Sequence, residues 1–173
     1  LDLRLSEMIS AIGLLPIPIS ATILNHYSLT DYLERIKPDG ILLSGGNDLG
    51  DVKIRDTLEE ELLKWSTYST KPVFGICRGL QLINSYQGGR LTKTKCHCNS
   101  RHLLEGENKF CSREVNSYHN YKVESSGLGK ELIKLAWTND DCIEAIKHKK
   151  YPWLAIMWHP EREKIIDCED RTL

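Results

Sequence analysis

Two short apolar runs, Ile41-Leu42-Leu43 and Val73-Phe74-Gly75-Ile76, each end in a glycine-bearing turn, and each turn leads into a helix-period segment. That order, strand then turn then helix, is the constraint that most limits how this chain can fold. Consecutive strands separated by helices pair in parallel, because a parallel return needs a crossover connection. The first turn is Ser44-Gly45-Gly46-Asn47-Asp48; beyond it Leu58, Leu62 and Trp65 share one face of a helix over roughly 54–69. Lys71-Pro72 stops that helix, and a second begins at Arg78 and ends near Tyr86, before Gly88-Gly89.

Upstream, Leu1, Leu5, Met8, Ile9 and Ile12 recur at helical spacing, with Gly13 as the stop. Leu14 to Ile19 is predicted as a strand near a sheet edge, because it carries two prolines. Ser28-Leu29-Thr30-Asp31 resembles a capping box before a helix over Tyr32 to Ile36. Residues 90–125 are polar and lack a helical period, which predicts loops and short antiparallel strands. Ile133–Trp137, Ile143–Ile146 and Trp153–Trp158 are further strand candidates, with Trp137, Trp153 and Trp158 read as core. The expectation is an α/β domain spanning 1–173, with a doubly wound, flavodoxin-like, mainly parallel sheet, helices on both faces and a small antiparallel extension. A chain that starts on a crossover helix is expected to have a first strand upstream.

Composition narrows the function. Lys+Arg total 23 against 24 Asp+Glu, a formal net charge of −1, so neither nucleic acid nor an anionic membrane is an expected partner. No apolar run approaches the ~18–20 residues that would span a bilayer. Six cysteines with no secretion signal read as free thiols in a reducing, cytoplasmic setting.

A reducing setting leaves a cysteine free to act as a nucleophile. Gly75-Ile76-Cys77-Arg78-Gly79 is G-x-C-x-G between a strand and a helix, the nucleophile-elbow pattern with cysteine at its centre. The helix N-terminus behind Cys77 is expected to favour the thiolate and to make Cys77 the most readily alkylated thiol. The competing reading is a buried cysteine between two turn glycines. His159 is the best-placed base, because it follows the strand Trp153–Trp158, and Glu161 can orient it from two residues on. For an oxyanion, the N–H of Arg78 is one donor, and the backbone of Gly45-Gly46 offers the second.

Pro38-Asp-Gly-Ile-Leu-Leu-Ser-Gly-Gly46, Pro72-Val-Phe-Gly-Ile-Cys-Arg-Gly-Leu-Gln81, Val115-Asn-Ser-Tyr-His119 and Trp158-His-Pro-Glu161 together resemble the class I glutamine amidotransferase superfamily. Within it, Ser44-Gly-Gly-Asn-Asp48 and Asn116-Ser-Tyr-His119 are most similar to the γ-glutamyl hydrolase branch. The resemblance covers about residues 14–161. It implies a Cys77–His159–Glu161 triad, a γ-glutamyl thioester on Cys77, and an oxyanion held by the backbone of Gly46 and Arg78. It also implies that Gly45, Gln81, Asn116, Ser117, Tyr118 and His119 surround the glutamyl group, and that no metal or organic cofactor takes part. The implied activity is hydrolysis of a γ-glutamyl amide, a small-molecule substrate. The small bacterial members that act on γ-glutamyl-CDP-amidate in capsule phosphoramidate biosynthesis are the most similar. A γ-glutamyl-γ-aminobutyrate hydrolase, or a glutaminase subunit feeding ammonia to a partner synthetase, is the alternative. A homodimer is left open.

Cys96-His-Cys-Asn-Ser-Arg-His102, with Cys111 nearby, invites comparison with zinc sites, but Cys-x-Cys is not finger spacing, and a loop over the active site is the favoured reading. That loop carries Arg90, Lys93, Lys95 and Arg101, with Arg113 and Lys122 flanking it: either a solvated face or a surface for an anionic leaving group.

Overall fold

The computed structural model describes residues 2–95, 97–106, 110, 112–167 and 169–172. Four α-helices are present among them: α1 (Leu3–Ala11), α2 (Leu29–Ile36), α3 (Lys53–Ser69) and α4 (Arg78–Tyr86). Ser28 caps α2, its Oγ accepting from the Asp31 N–H at 3.4 Å, so the helix starts earlier than its apolar periodicity suggests. Leu58, Leu62 and Leu63 form the buried stripe of α3. Each such side chain, taken fully out of water, contributes about 1.5–3 kcal/mol.

The main sheet has the order β1-β2-β10-β9-β8-β5, where β1 is Ile41–Leu43, β2 Val73–Ile76, β10 Trp153–Ile156, β9 Ile143–His148, β8 Leu132–Trp137 and β5 Glu105–Gly106. β2 lies between β1 and β10 and is parallel to both, in a register that sets Ile41 and Trp153 beside Val73, and Ile156 beside Ile76. From β10 outward, β9, β8 and β5 join antiparallel. The α/β expectation therefore holds, with three parallel strands on one side of the sheet, β1 at its edge, and three antiparallel strands extending it. The parallel strands are apolar along their length because α4 packs on β1, β2 and β10.

The polar stretch forms two short antiparallel pairs. One joins β3 (Thr92–Lys93) to β7 (Tyr121–Lys122), and the other joins β4 (Cys98–Leu103) to β6 (Glu114–Tyr118). Residues 14–19 are not a strand. Pro16 and Pro18 have no N–H to give a ladder, and Leu14, Leu15 and Ile17 remain exposed. Trp153 and Trp158 are core, as expected, whereas Trp137 is half-buried at the far side of the sheet.

Candidate active site

Cys77 sits where β2 ends and α4 begins, at φ 51° and ψ −100°. A non-glycine residue at positive φ is strained by about 1–3 kcal/mol, and only firm surroundings hold it there. Two features supply them. The Cys77 N–H donates to the Ile156 carbonyl at 2.7 Å, fastening the turn to the end of β10. Behind it, a Cβ on Gly79 would lie 2.4 Å from the Leu43 carbonyl oxygen, so this glycine lets α4 press directly onto β1. The motif glycine is thus a packing requirement.

The sequence expectation of a thiolate at rest is not met. Cys77 is only 5% exposed, and burial pushes its thiol up to about 12. The Arg78 N–H bonded to the sulfur opposes this, as does the nearby Arg162 charge, while Glu144 and Glu161 add to the rise. Desolvation outweighs the helix N-terminus, so the free protein carries the sulfur as a thiol.

His159 lies three residues beyond the last β10 residue, at the same end of the sheet as Cys77, as their adjacent strands require. Its imidazole is buried and its Nδ1 donates to Glu161 Oε1 at 2.6 Å, which leaves Nε2 as the nitrogen able to take a proton. The backbone of His159 is clamped at both ends by one side chain. Asn116 Oδ1 accepts from the His159 N–H at 2.8 Å, and Asn116 Nδ2 donates to the His159 carbonyl at 2.8 Å. The glycine turn after β1 lies against the ring: a Cβ on Gly45 would come within 2.6 Å of His159 Cε1. Tyr118 meets the imidazole edge-on at 5.7 Å, and the Arg162 guanidinium covers the Tyr118 ring at 4.6 Å.

A partly buried ionic network joins the two expected oxyanion donors. Arg55 Nη2 donates to the carbonyls of Ser44 at 2.8 Å and Gly45 at 3.0 Å, and Nη1 to Asn47 Oδ1 at 3.0 Å. Its Nε reaches Glu59 at 2.8 Å, and Glu59 with Asp56 holds the buried Arg78 guanidinium. Gly46, at φ 142°, and Arg78 are therefore fixed relative to one another through α3. Sequence reading missed Arg55, Asp56 and Glu59. The signal was there, since Arg55 and Glu59 are an i,i+4 pair in the helix that follows the glycine turn.

The remaining expected residues divide. Gly45 and Tyr118 border His159. Gln81 is buried and donates to the Tyr121 carbonyl at 2.9 Å. Asn116 bonds the His159 backbone and Glu163, so it positions the expected base. Ser117 donates to the His97 carbonyl at 2.6 Å and is fully buried, so its hydroxyl too serves the fold. His119 points into a buried cluster with His97, Cys142 and Glu144. In the basic stretch, Arg101 is paired with Glu114 and Glu163, Arg113 with Asp170, and Lys122 with Glu124 and Asp140. Cys98 is exposed and free; Cys96 and Cys111 lie outside the described residues.

The sequence model of the class I glutamine amidotransferase family matches residues 11–164. The chain belongs to this family. It is 36% identical over 154 residues to the γ-glutamyl-CDP-amidate hydrolase of Campylobacter jejuni, covering 86% of this chain and 72% of that protein. It is 31% identical over 182 aligned positions to the glutamine amidotransferase-like protein YvdE of Lactococcus lactis, covering 86% and 73%. A carbamoyl phosphate synthase small chain of Oceanobacillus iheyensis is 34% identical over 149 residues, which cover 81% of this chain but 38% of that one. Among solved structures, a GMP synthase subunit of Thermoplasma acidophilum superposes with a TM-score of 0.78 over 97% of this amidotransferase domain and 81% of that chain, at 22% identity. The fold and the family agree with the resemblance read from the four motifs. No helix of the described residues is long and apolar enough to cross a membrane.

Proposed function

We propose that this amidotransferase domain hydrolyses γ-glutamyl amides through a thioester on Cys77. The observation that carries the reading is the buried His159–Glu161 pair, bonded at 2.6 Å at the carboxyl end of the strand beside the one that delivers Cys77. His159 Nε2 takes the Cys77 proton as the sulfur attacks the γ-carbonyl carbon, so a thiol at rest becomes a nucleophile only with substrate present. Charge gathers on the carbonyl oxygen, and the N–H groups of Gly46 and Arg78 receive it. The tetrahedral species expels the amine, which takes the proton from His159 and leaves a γ-glutamyl thioester. His159 then deprotonates water, the water attacks the thioester, and glutamate and the Cys77 thiol are released. Glu161 keeps the imidazole in one tautomer and offsets its transient positive charge.

The similarity to the Campylobacter hydrolase supports γ-glutamyl-CDP-amidate as the substrate. The basic stretch adds little, because its Arg101, Arg113 and Lys122 are already paired with acids. Arg162 is the better cation for an anionic leaving group. It lies beside Tyr118, close enough to act on the Cys77 sulfur, and no carboxylate pairs with it among the described residues. The test is kcat/KM for glutamate release from γ-glutamyl-CDP-amidate, γ-glutamyl-γ-aminobutyrate and glutamine. The phosphoramidate should be preferred; preference for γ-glutamyl-γ-aminobutyrate contradicts the substrate assignment.

A second reading, a glutaminase subunit serving a synthetase, draws on the likeness to carbamoyl phosphate synthase small chains. It requires glutamine hydrolysis that stays very low until a partner protein is added.

A further inference from the structure

His97, His119, Cys142 and Glu144 converge in the interior, their donor atoms all within 4.8 Å of one another and all four residues buried. They come from three separate parts of the chain. His97 immediately precedes β4, His119 follows β6, and Cys142 and Glu144 stand at the start of β9.

Hydrogen bonds on the outer side of each imidazole decide what faces inward. His119 Nδ1 is 2.9 Å from the Tyr121 carbonyl, which can only accept, so Nδ1 carries the hydrogen. His97 Nε2 is 2.9 Å from Asp140 Oδ2, a carboxylate that in turn accepts from the Thr138 hydroxyl at 2.5 Å, so Nε2 carries the hydrogen there. In the neutral rings this leaves the lone pairs of His97 Nδ1 and His119 Nε2 pointing at the Glu144 carboxylate. They stand 3.9 and 3.5 Å from Glu144 Oε1, and neither makes a hydrogen bond. Glu144 Oε2 is also buried without a partner. Among the described residues, the donor that reaches Glu144 Oε1 is the Cys142 thiol, at 3.2 Å.

Three buried acceptors aimed at one another repel unless something positive lies between them. Imidazoles whose outer N–H groups are held by a carboxylate and a backbone carbonyl are arranged as metal-bound histidines are. We propose that these four side chains bind a divalent zinc ion, with His97 Nδ1, His119 Nε2, Cys142 Sγ and a Glu144 oxygen as ligands. The assignment replaces the sequence expectation of no metal. Two nitrogens, a sulfur and an oxygen suit zinc, whose tetrahedral bonds of about 2.0–2.3 Å place ligand atoms roughly 3.3–3.8 Å apart, a modest contraction of the cluster. Binding forms the zinc–sulfur bond and releases the Cys142 proton to solvent.

Four protein ligands leave no position open for water, so the ion is structural. It ties the β4–β6 pair to β9 of the main sheet. β6 carries Asn116, which clamps the His159 backbone, so the ion also steadies the expected base.

The experiment is metal analysis of the purified full chain, followed by removal of the metal with a chelator and titration with Co²⁺. About one zinc per chain is expected, as is a thiolate-to-cobalt charge-transfer band with tetrahedral visible absorption. Cys142→Ser should lose that band, and its zinc affinity should drop at least roughly tenfold. Cys77→Ala, which alters a different thiol, should keep both. Should Cys142→Ser fail to fold, the spectrum of the wild-type chain alone still decides. Wild-type protein that is metal-free after growth with zinc and binds no Co²⁺ overturns the site. A cobalt band that survives in Cys142→Ser but disappears in Cys77→Ala also overturns it.

Discussion

Gly45→Ala is a single-methyl test of the arrangement around His159. Gly45 is not at positive φ, so alanine suits its backbone, and the cost falls on one contact. The added Cβ would lie 2.6 Å from His159 Cε1. Carbon atoms in ordinary contact are about 3.5–4.0 Å apart, so the ring must retreat by roughly 1 Å. Glu161 holds the neighbouring ring nitrogen Nδ1 at 2.6 Å and Asn116 holds the backbone, so the ring has little freedom to move without breaking these bonds. Overpacking of this kind destabilises by about 1–3 kcal/mol. A catalytic group displaced by 1 Å loses on the order of 10²-fold in rate. The assay is glutamate release from a γ-glutamyl amide, with a thermal melt on the same preparation. The expected result is a kcat roughly 10²-fold lower with the fold retained at assay temperature. Wild-type kcat at wild-type melting temperature would refute the placement of the glycine turn against the imidazole.

Glu161→Gln keeps the shape but removes the carboxylate that accepts from His159 Nδ1, so kcat should decrease by about 10²–10⁴-fold with little change in KM. Asn116→Ala leaves the buried N–H of His159 without its partner, while the His159 carbonyl keeps the Arg162 N–H at 3.1 Å; a melt should show a loss of about 1–3 kcal/mol. Cys77 is raised from 9.0 to about 12, so the folded chain keeps this proton longer than the unfolded chain. The associated stability is fully present below pH 9 and is lost as pH rises towards 12; Cys77→Ala should remove up to about 4 kcal/mol of alkaline sensitivity in denaturant titrations. In the free protein, iodoacetamide should modify exposed Cys98 ahead of Cys77, read by peptide mass spectrometry. Arg162→Ala should reduce kcat/KM for γ-glutamyl-CDP-amidate more than for glutamine.

The centre of the fold was legible because its signals are local. Short apolar strands, a capping serine and glycine turns fix β1, β2, α2 and α4 with few long-range terms. One of those turns marked Cys77 and the end of an apolar strand marked His159, and the parallel pairing of β2 with β10 sets both at one end of the sheet. What escaped depended on distant pairings. The thiolate expectation weighed the helix N-terminus, which sequence reveals, without the desolvation that sequence hides. The motif marked Asn116 and Ser117, but their bonds to the His159 and His97 carbonyls depend on strand pairing that sequence does not reveal. The His97 cluster joins positions more than forty residues apart, and spacing alone offers no sign of it.

The most direct test of the central claim is covalent trapping with a chloroketone analogue of glutamine, which loses chloride to an attacking sulfur. Intact-mass and peptide analysis should find a single adduct on Cys77, formed faster than by iodoacetamide and suppressed by glutamate, with no adduct in Cys77→Ala. An adduct on Cys98 in place of Cys77, or glutamate release at the wild-type rate by Cys77→Ala, would contradict the account.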